Sequence, residues 1–352
     1  MATRKNPRQN NPRGVSPAPA ATPPRAARRD TAPAADLAAP TGVALTWRRK
    51  LQLLLAGLWV LDGLLKLQPF MFTKDFAPMT LGEALDGAPG WLAAPIRWAS
   101  GTEQRHSISA MAAFALIEFV VGFAIAWPRT AKLGLIACLV WVPFLWFFAE
   151  GLGGLASGSP SPFDAPGASI LYALLAVLLW PAPDRDRPSS EAARFIGIRA
   201  AQAVWVVLWG LLAFLAFLPA NTTPGTFSDA IAGNVEGAPS GYVWLLNHAT
   251  KAVNGHGHVL GILLGVALTL VALSVLAPWA RVVRAGIVLA LVLAALIWVF
   301  AQGLGMPFQG MGTDPDTGPI LALIALAYWP AVTRRAGEPG TDTAAIAAGA
   351  AA

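Results

Sequence analysis

Three ionisable side chains stand inside otherwise apolar stretches of this 352-residue chain. Their types and spacing set out what chemistry it could perform. Asp62 and Lys66 are four residues apart, which puts them on one face of a helix, able to pair as carboxylate and ammonium. Such a pair either holds a bundle together or binds a proton or a substrate. Glu118 lies midway along a second apolar stretch and is the deepest carboxylate in the chain. There it either hydrogen-bonds internally or exchanges protons with whatever reaches it. Glu150 closes a third stretch and is followed by Gly-Leu-Gly, residue types that end helices and turn the chain back. His106 opens the stretch holding Glu118, His258 opens a similar stretch 152 positions later, and His256 and His248 stand just upstream of it. Histidines paired near one face could ligate haem or copper, with His106, His256 and His258 as ligands, or could hydrogen-bond quinone oxygens. Interfacial histidines more often hydrogen-bond to loops and water.

Other chemistries are excluded or have simpler explanations. The lone Cys138 rules out a disulfide framework, a thiol redox pair or a cysteine-rich metal site within one chain. Asp164 and the Asp314-Pro315-Asp316-Thr317 segment precede apolar stretches, as helix N-caps do, and supply too few ordered oxygens for a calcium loop. No Walker loop, dinucleotide fingerprint, nucleophile elbow or zinc motif is present.

The elements that must position these residues are membrane helices. Hydrophobic residues make up 55% of the chain and charged residues 12%. The apolar stretches approach the ~20 residues that span a bilayer. Eight are expected, at 49–68, 108–127, 132–150, 167–181, 198–218, 257–277, 282–301 and 318–332. Their continuity favours helices over barrel strands, so the fold class is all-α and polytopic. Lys and Arg cluster on one side of an eight-span arrangement, 20 against 4 on the other. The positive-inside rule therefore puts both termini in the cytoplasm of a plasma-membrane protein. Residues 1–44, rich in Ala, Pro and Arg, are expected to form a disordered basic cytoplasmic tail without a signal-peptide core. Residues 336–352 are expected to form a second, weakly structured tail, and 183–196 a cytoplasmic linker. The basic balance follows from topology and gives no reason to expect nucleic acid as a partner.

The spans are written twice. Trp146–Gly153 (WFFAEGLG) returns as Trp298–Gly305 (WVFAQGLG), Asp86-Gly87-Ala88-Pro89 as Glu236-Gly237-Ala238-Pro239, and Leu58-Trp59 as Leu208-Trp209. Offsets of 149 to 152 describe one duplication, with repeats at 45–182 and 197–335. Four spans per repeat is an even number, so the repeats enter from the same side and are related about the membrane normal. Each has a long loop after its first span, Gln68 to Ser107 in the first, expected to carry short helices on the external face. Matching at these offsets puts Leu212, Ala216 and Leu270 opposite Asp62, Lys66 and Glu118, Gln302 opposite Glu150, and His258 opposite His106. Glu and Gln share an acceptor, so position 302 keeps the acceptor and drops the charge.

The four-helix unit, with LWVLDGLLKLQPFMF at 58–72, a long external loop and Glu150-Gly151-Leu152-Gly153-Gly154 after the third helix, resembles the DoxX-like membrane proteins. That family includes DoxD-type subunits associated with thiosulfate:quinone oxidoreductase. The resemblance covers residues 45–335 as a tandem duplication and implies a helical bundle with a respiratory or redox association. It supplies no catalytic motif to place on individual residues.

Three functions remain open. A redox-associated or accessory protein would set Asp62, Glu118, Glu150 and His106 around a quinone or a membrane or periplasmic redox partner. A carrier of a small solute or of protons would use Asp62, Lys66 and Glu118 as a path between the halves. A scaffold or assembly subunit would bind a partner through its external loops.

Overall fold

A computed structural model describes residues 45–158, 160–182 and 190–330. The two expected tails and the first half of the expected linker lie outside the described residues. Among those described, every regular element is helical.

The first half opens with α1 (Trp47–Leu65), whose N-cap Thr46 accepts the Arg49 backbone N–H on its hydroxyl oxygen. A 3₁₀ turn (Pro69–Phe72), α2 (Phe76–Glu83) and α3 (Gly90–Arg105) occupy the expected long loop. Then come α4 (Ser107–Ala126), α5 (Ala131–Phe148) and α6 (Ala168–Leu178). A short α7 (Ala193–Ile196) leads into the same order of elements: α8 (Ile198–Ala216), a 3₁₀ turn (Pro219–Thr222), α9 (Thr226–Ala232), α10 (Ser240–Val253), α11 (Gly257–Ser274), α12 (Ala280–Leu296) and α13 (Thr317–Ala327). A π-helical turn, Ile297–Ala301, extends α12.

Among the described residues five helices are long and apolar enough to cross a membrane: α4, α5, α8, α11, and α12 with its π turn. Their outward faces carry Leu116, Val140, Val207 and Leu263, each more than half exposed. That much exposed apolar surface suits lipid and not water, and marks a multi-pass membrane protein. Three of the eight expected spans fall short of this standard. α1 has the length, but Arg48, Arg49, Lys50 and Asp62 interrupt it. α6 and α13 have 11 residues each, about 16 Å at the α-helical rise, half a hydrocarbon core. Irregular chain (149–167 and 302–316) precedes each of them.

Packing repeats between the halves. α1 lies along α4 and α8 along α11. The first contact is close because a Cβ on Gly122 would stand 3.0 Å from the Ala56 carbonyl oxygen and 2.8 Å from Val60. Buried positions of α1 and α4 recur in α8 and α11 at an offset of 150: Trp59 with Trp209, Met111 with Gly261, Ala115 with Gly265, Val121 with Val271. In α5 and α12 the offset is 152, and in α6 and α13 it is 149. This register corrects two sequence pairings. The position equivalent to Glu118 is Leu268, fully buried, and not the exposed Leu270. His106, the N-cap of α4, corresponds to His256, the N-cap of α11, and not to His258.

Candidate functional site

The last turn of α1 carries Asp62 and its C-cap is Lys66, 2% and 7% exposed, and the middle of α4 carries Glu118 at 0%. Gly63 lets α4 approach: a Cβ there would stand 3.2 Å from the Ala115 carbonyl oxygen. That closeness decides the pairing. Lys66 Nζ meets Glu118 Oε1 at 2.8 Å, and the expected Asp62–Lys66 pair does not form. Asp62 instead accepts a hydrogen bond from the Tyr172 hydroxyl of α6 at 3.0 Å and influences Lys66 only through space. Tyr172 is held against Trp59, ring centroids 4.7 Å apart. A second ammonium N–H of Lys66 donates to the Thr313 carbonyl at 2.9 Å, and Gln68 donates to the Gly312 carbonyl at 3.1 Å. A loop of the second half thus closes over a charge cluster of the first.

Glu150 lies just beyond the end of α5 at Phe148. Its backbone N–H reaches five residues back to Leu145, and that of Leu152 six back to Trp146; Gln302 and Leu304 repeat both bonds with Ile297 and Trp298. The chain then turns through Gly151, Leu152 and Gly153, all at positive φ. Glycine is required at 153 because a Cβ would stand 1.9 Å from the Pro166 carbonyl oxygen. Glu150 Oε1 accepts from the Ser169 backbone N–H (2.8 Å) and hydroxyl (2.7 Å) at the start of α6, where the helix dipole favours an acceptor. Gln302 Oε1 accepts from the Gly318 N–H at the start of α13, 3.1 Å away. Its amide nitrogen donates to the Phe163 carbonyl (2.7 Å) and to Thr317 Oγ1 (2.5 Å). The shared acceptor at this position is therefore a bracket between two helices. Glu150 Oε2 has no hydrogen-bond partner and is buried, and burial, with Asp314 next in effect, pushes this carboxyl up to about 7.

Two cavities meet at these residues. The inner one, about 340 Å³, is walled by aromatic side chains, among them Phe76, Trp98, Phe114, Phe144 and Phe148. Asp62, Lys66, Glu118, Glu150, Tyr172 and Asp314 line it, and the exposed His106 stands on its rim. The structure thus gathers five of the seven sequence candidates around one space. The outer cavity, about 590 Å³, is more polar and is lined by Glu150, Gln302, Asp164, Asp314 and Asp316. Burial raises the carboxyls of Asp164 and Asp316, the latter also through repulsion from Asp164.

The remaining histidines go elsewhere. His258 is exposed and lines neither cavity. His256 Nδ1 lies 2.9 Å from the Asn254 carbonyl oxygen, and His248 lies against Trp244 at 4.2 Å. Among the described residues no group of three or more His, Cys, Asp or Glu is placed to hold a metal ion. The His106, His256, His258 ligand set is not assembled, because His106 and His256 cap different helices at equivalent places in the two halves.

Sequence reasoning missed Tyr172 and Thr313 and read Asp314 only as a helix cap. Tyr172 had a signal, being one of three tyrosines in the chain and set in an apolar stretch. Thr313 acts through its backbone carbonyl, which no side-chain pattern announces. Comparison of the chain with protein-family models, curated proteins and solved structures finds no match.

Proposed function

We propose that this chain is a DoxX-like plasma-membrane protein of two parallel four-helix repeats, eight spans in all with both termini cytoplasmic, that binds a lipid-soluble quinone in its first repeat. The architecture is supported by the matching buried registers and by reciprocal contacts. Lys66 and Gln68 reach the Thr313 and Gly312 carbonyls of the second half, while Asn221 and Gln302 of the second half reach the Pro160 and Phe163 carbonyls of the first. Such exchange is what a two-fold relation along the membrane normal produces. α6 and α13, each with the apolar residues that follow it, supply the fourth span of each repeat, and the irregular chain before each stays outside the spans.

The observation that carries the ligand assignment is the polar end of an aromatic-walled cavity where a donor and an acceptor are both left over. The Lys66 ammonium has three N–H donors and spends one on Glu118 and one on Thr313. Glu118 Oε2 accepts no hydrogen bond; the Trp141 indole N–H approaches the carboxylate without reaching hydrogen-bond geometry. A quinone carbonyl takes the free donor, and a quinol hydroxyl gives to the free acceptor. The aromatic walls suit the ring, and the volume falls in the ~300–1,000 Å³ range of small-molecule sites.

The test is extraction of quinone from the purified protein, followed by titration of delipidated protein with a short-chain quinone while tryptophan fluorescence is read. Saturable binding that Lys66→Met or Glu118→Leu weakens at least tenfold supports the assignment. Absence of saturable binding by the unaltered protein refutes it. A carrier function has one observation in its favour, the meeting of the inner and outer cavities at Glu150, and uptake of a solute by quinone-free vesicles would select it.

A further inference from the structure

Among the described residues, Glu150 is the one carboxylate that lines both cavities with an oxygen left unbonded and is tied to neither the Lys66–Glu118 pair nor the second-half loop by a hydrogen bond. Oε1 is fixed by both donors of Ser169. Oε2 is buried, makes no hydrogen bond, and lies against Gly167, where a Cβ would stand 2.1 Å from it. On one side is the polar outer cavity, roomy enough for the few waters a proton path needs. On the other is the aromatic inner cavity, where Asp62, Tyr172 and Glu118 cluster.

We infer that Glu150 passes protons between the two cavities, taking them from water in the outer cavity onto Oε2 and releasing them toward the ligand in the inner one. This rests on the quinone-binding assignment, since a quinone reduced to a quinol must receive two protons with its two electrons. Each quinone takes two electrons from a one-electron or two-electron reductant of lower potential and two protons, each of which leaves the Glu150 carboxyl for a quinone oxygen, directly or through the Asp62–Tyr172 pair, and is replaced from outer water. The groups facing Glu150 are accounted for on every side. Ser169 of α6 holds the carboxylate, Lys66 of α1 favours its charge, and Asp314 and Asp316 of the loop before α13 disfavour it; Asp62, Glu103, His106 and Glu118 share the inner cavity with it, and Asp86 and Asp164 the outer. These opposed influences, with burial, leave the carboxyl near about 7, where uptake and release are both accessible.

The second half indicates which substitution keeps the bracket. Gln302 occupies the equivalent position and accepts the equivalent backbone N–H, so Glu150→Gln retains the acceptor and loses the proton.

The experiment is proton uptake by detergent-solubilised full-length protein loaded with a short-chain quinone. Pre-reduced methyl viologen radical, whose oxidation releases no proton, supplies the electrons, and a pH dye in weak buffer reads the protons. Rates are expressed per bound quinone, so that quinone binding and proton delivery are scored separately. Unaltered protein is expected to show a break in rate near pH 7. Glu150→Gln is expected to be at least tenfold slower without that break, and to be rescued by a small weak acid such as formate. Ser169→Ala keeps the carboxyl but removes one bond that favours its charged form, so its break moves to higher pH. It carries the test if Glu150→Gln does not fold. Quinone bound normally with an unchanged rate profile in Glu150→Gln, or an unmoved break in Ser169→Ala, overturns the inference and leaves the binding assignment standing. No quinone bound by unaltered protein overturns both.

Discussion

Glu150→Gln should remove a pH dependence of stability whose sign and size follow from the site. The carboxyl is moved from its usual 4.5 to about 7 by burial. A raised carboxyl favours folding while it is protonated. Its contribution is complete below 4.5, where the unfolded chain is protonated too, and falls as pH rises until the folded protein gives up its proton near 7. At about 1.36 kcal/mol per unit, the interval corresponds to roughly 3 kcal/mol. Glutamine has no charge to bury and keeps the bond to the start of α6, so the variant should gain on the unaltered protein between pH 4.5 and 7 and hold its advantage above. Cys138 supplies the assay. It is the only cysteine and is fully buried, so a thiol-reactive fluorophore reports unfolding at one site. The difference in melting temperature between the two proteins should widen on the order of 5 °C from pH 5 to pH 8. A difference that stays constant across that range would refute the account of Glu150 as a buried group near neutrality.

Further outcomes follow from the same contacts. Lys66→Met leaves Glu118 buried without its cation and should cost about 3–5 kcal/mol in thermal or denaturant unfolding. The triple change Asp62→Leu, Lys66→Ala, Glu118→Leu installs the residues found at 212, 216 and 268 and should restore stability to within about 1 kcal/mol of the original or better while abolishing quinone binding; a triple variant as unstable as Lys66→Met would contradict this. Gly153→Ala should cost about 3 kcal/mol or more, since its Cβ meets the Pro166 carbonyl. Gly210→Ala, with nothing within 4 Å of the added carbon inside α8, should be neutral or stabilising by up to about 1 kcal/mol.

Much of this site was legible because charge inside an apolar stretch is rare and conspicuous. Asp62, Lys66, Glu118 and Glu150 were each found that way, and the Glu150–Gln302 correspondence held because the octets around them align without gaps. What failed was long-range. The partner of Lys66 depended on how closely α4 approaches Gly63, a distance absent from any spacing along α1. The pairing of His106 with His258 failed because the offset changes from 150 to 152 at the turn between α11 and α12, after the histidines; an offset taken from the octets was carried back across it. α6 and α13 looked longer because their apolar stretches run past the helix ends at Leu178 and Ala327.

The asymmetry between the halves separates what the fold needs from what a ligand needs. Charged groups in a low-dielectric interior are costly even when paired, and apolar residues of similar volume commonly serve stability as well or better. In the second half Leu212 and Leu268 are 1% and 0% exposed and Ala216 is 0%. The helix pairing of α1 with α4 therefore recurs, in α8 with α11, without ionisable residues at these positions. The bracket at 150 and 302 is needed in both halves, which is why an acceptor persists there while the charge does not. The packing of α1 on α4 makes no such demand on Asp62, Lys66 and Glu118. A cluster that packing does not require, opening into an aromatic cavity and closed by the Thr313–Asp314 segment of the other half, is best explained by what it binds. The second half then contributes the Thr313 carbonyl, the Asp314 carboxylate and a lid to a site whose other charged groups belong to the first.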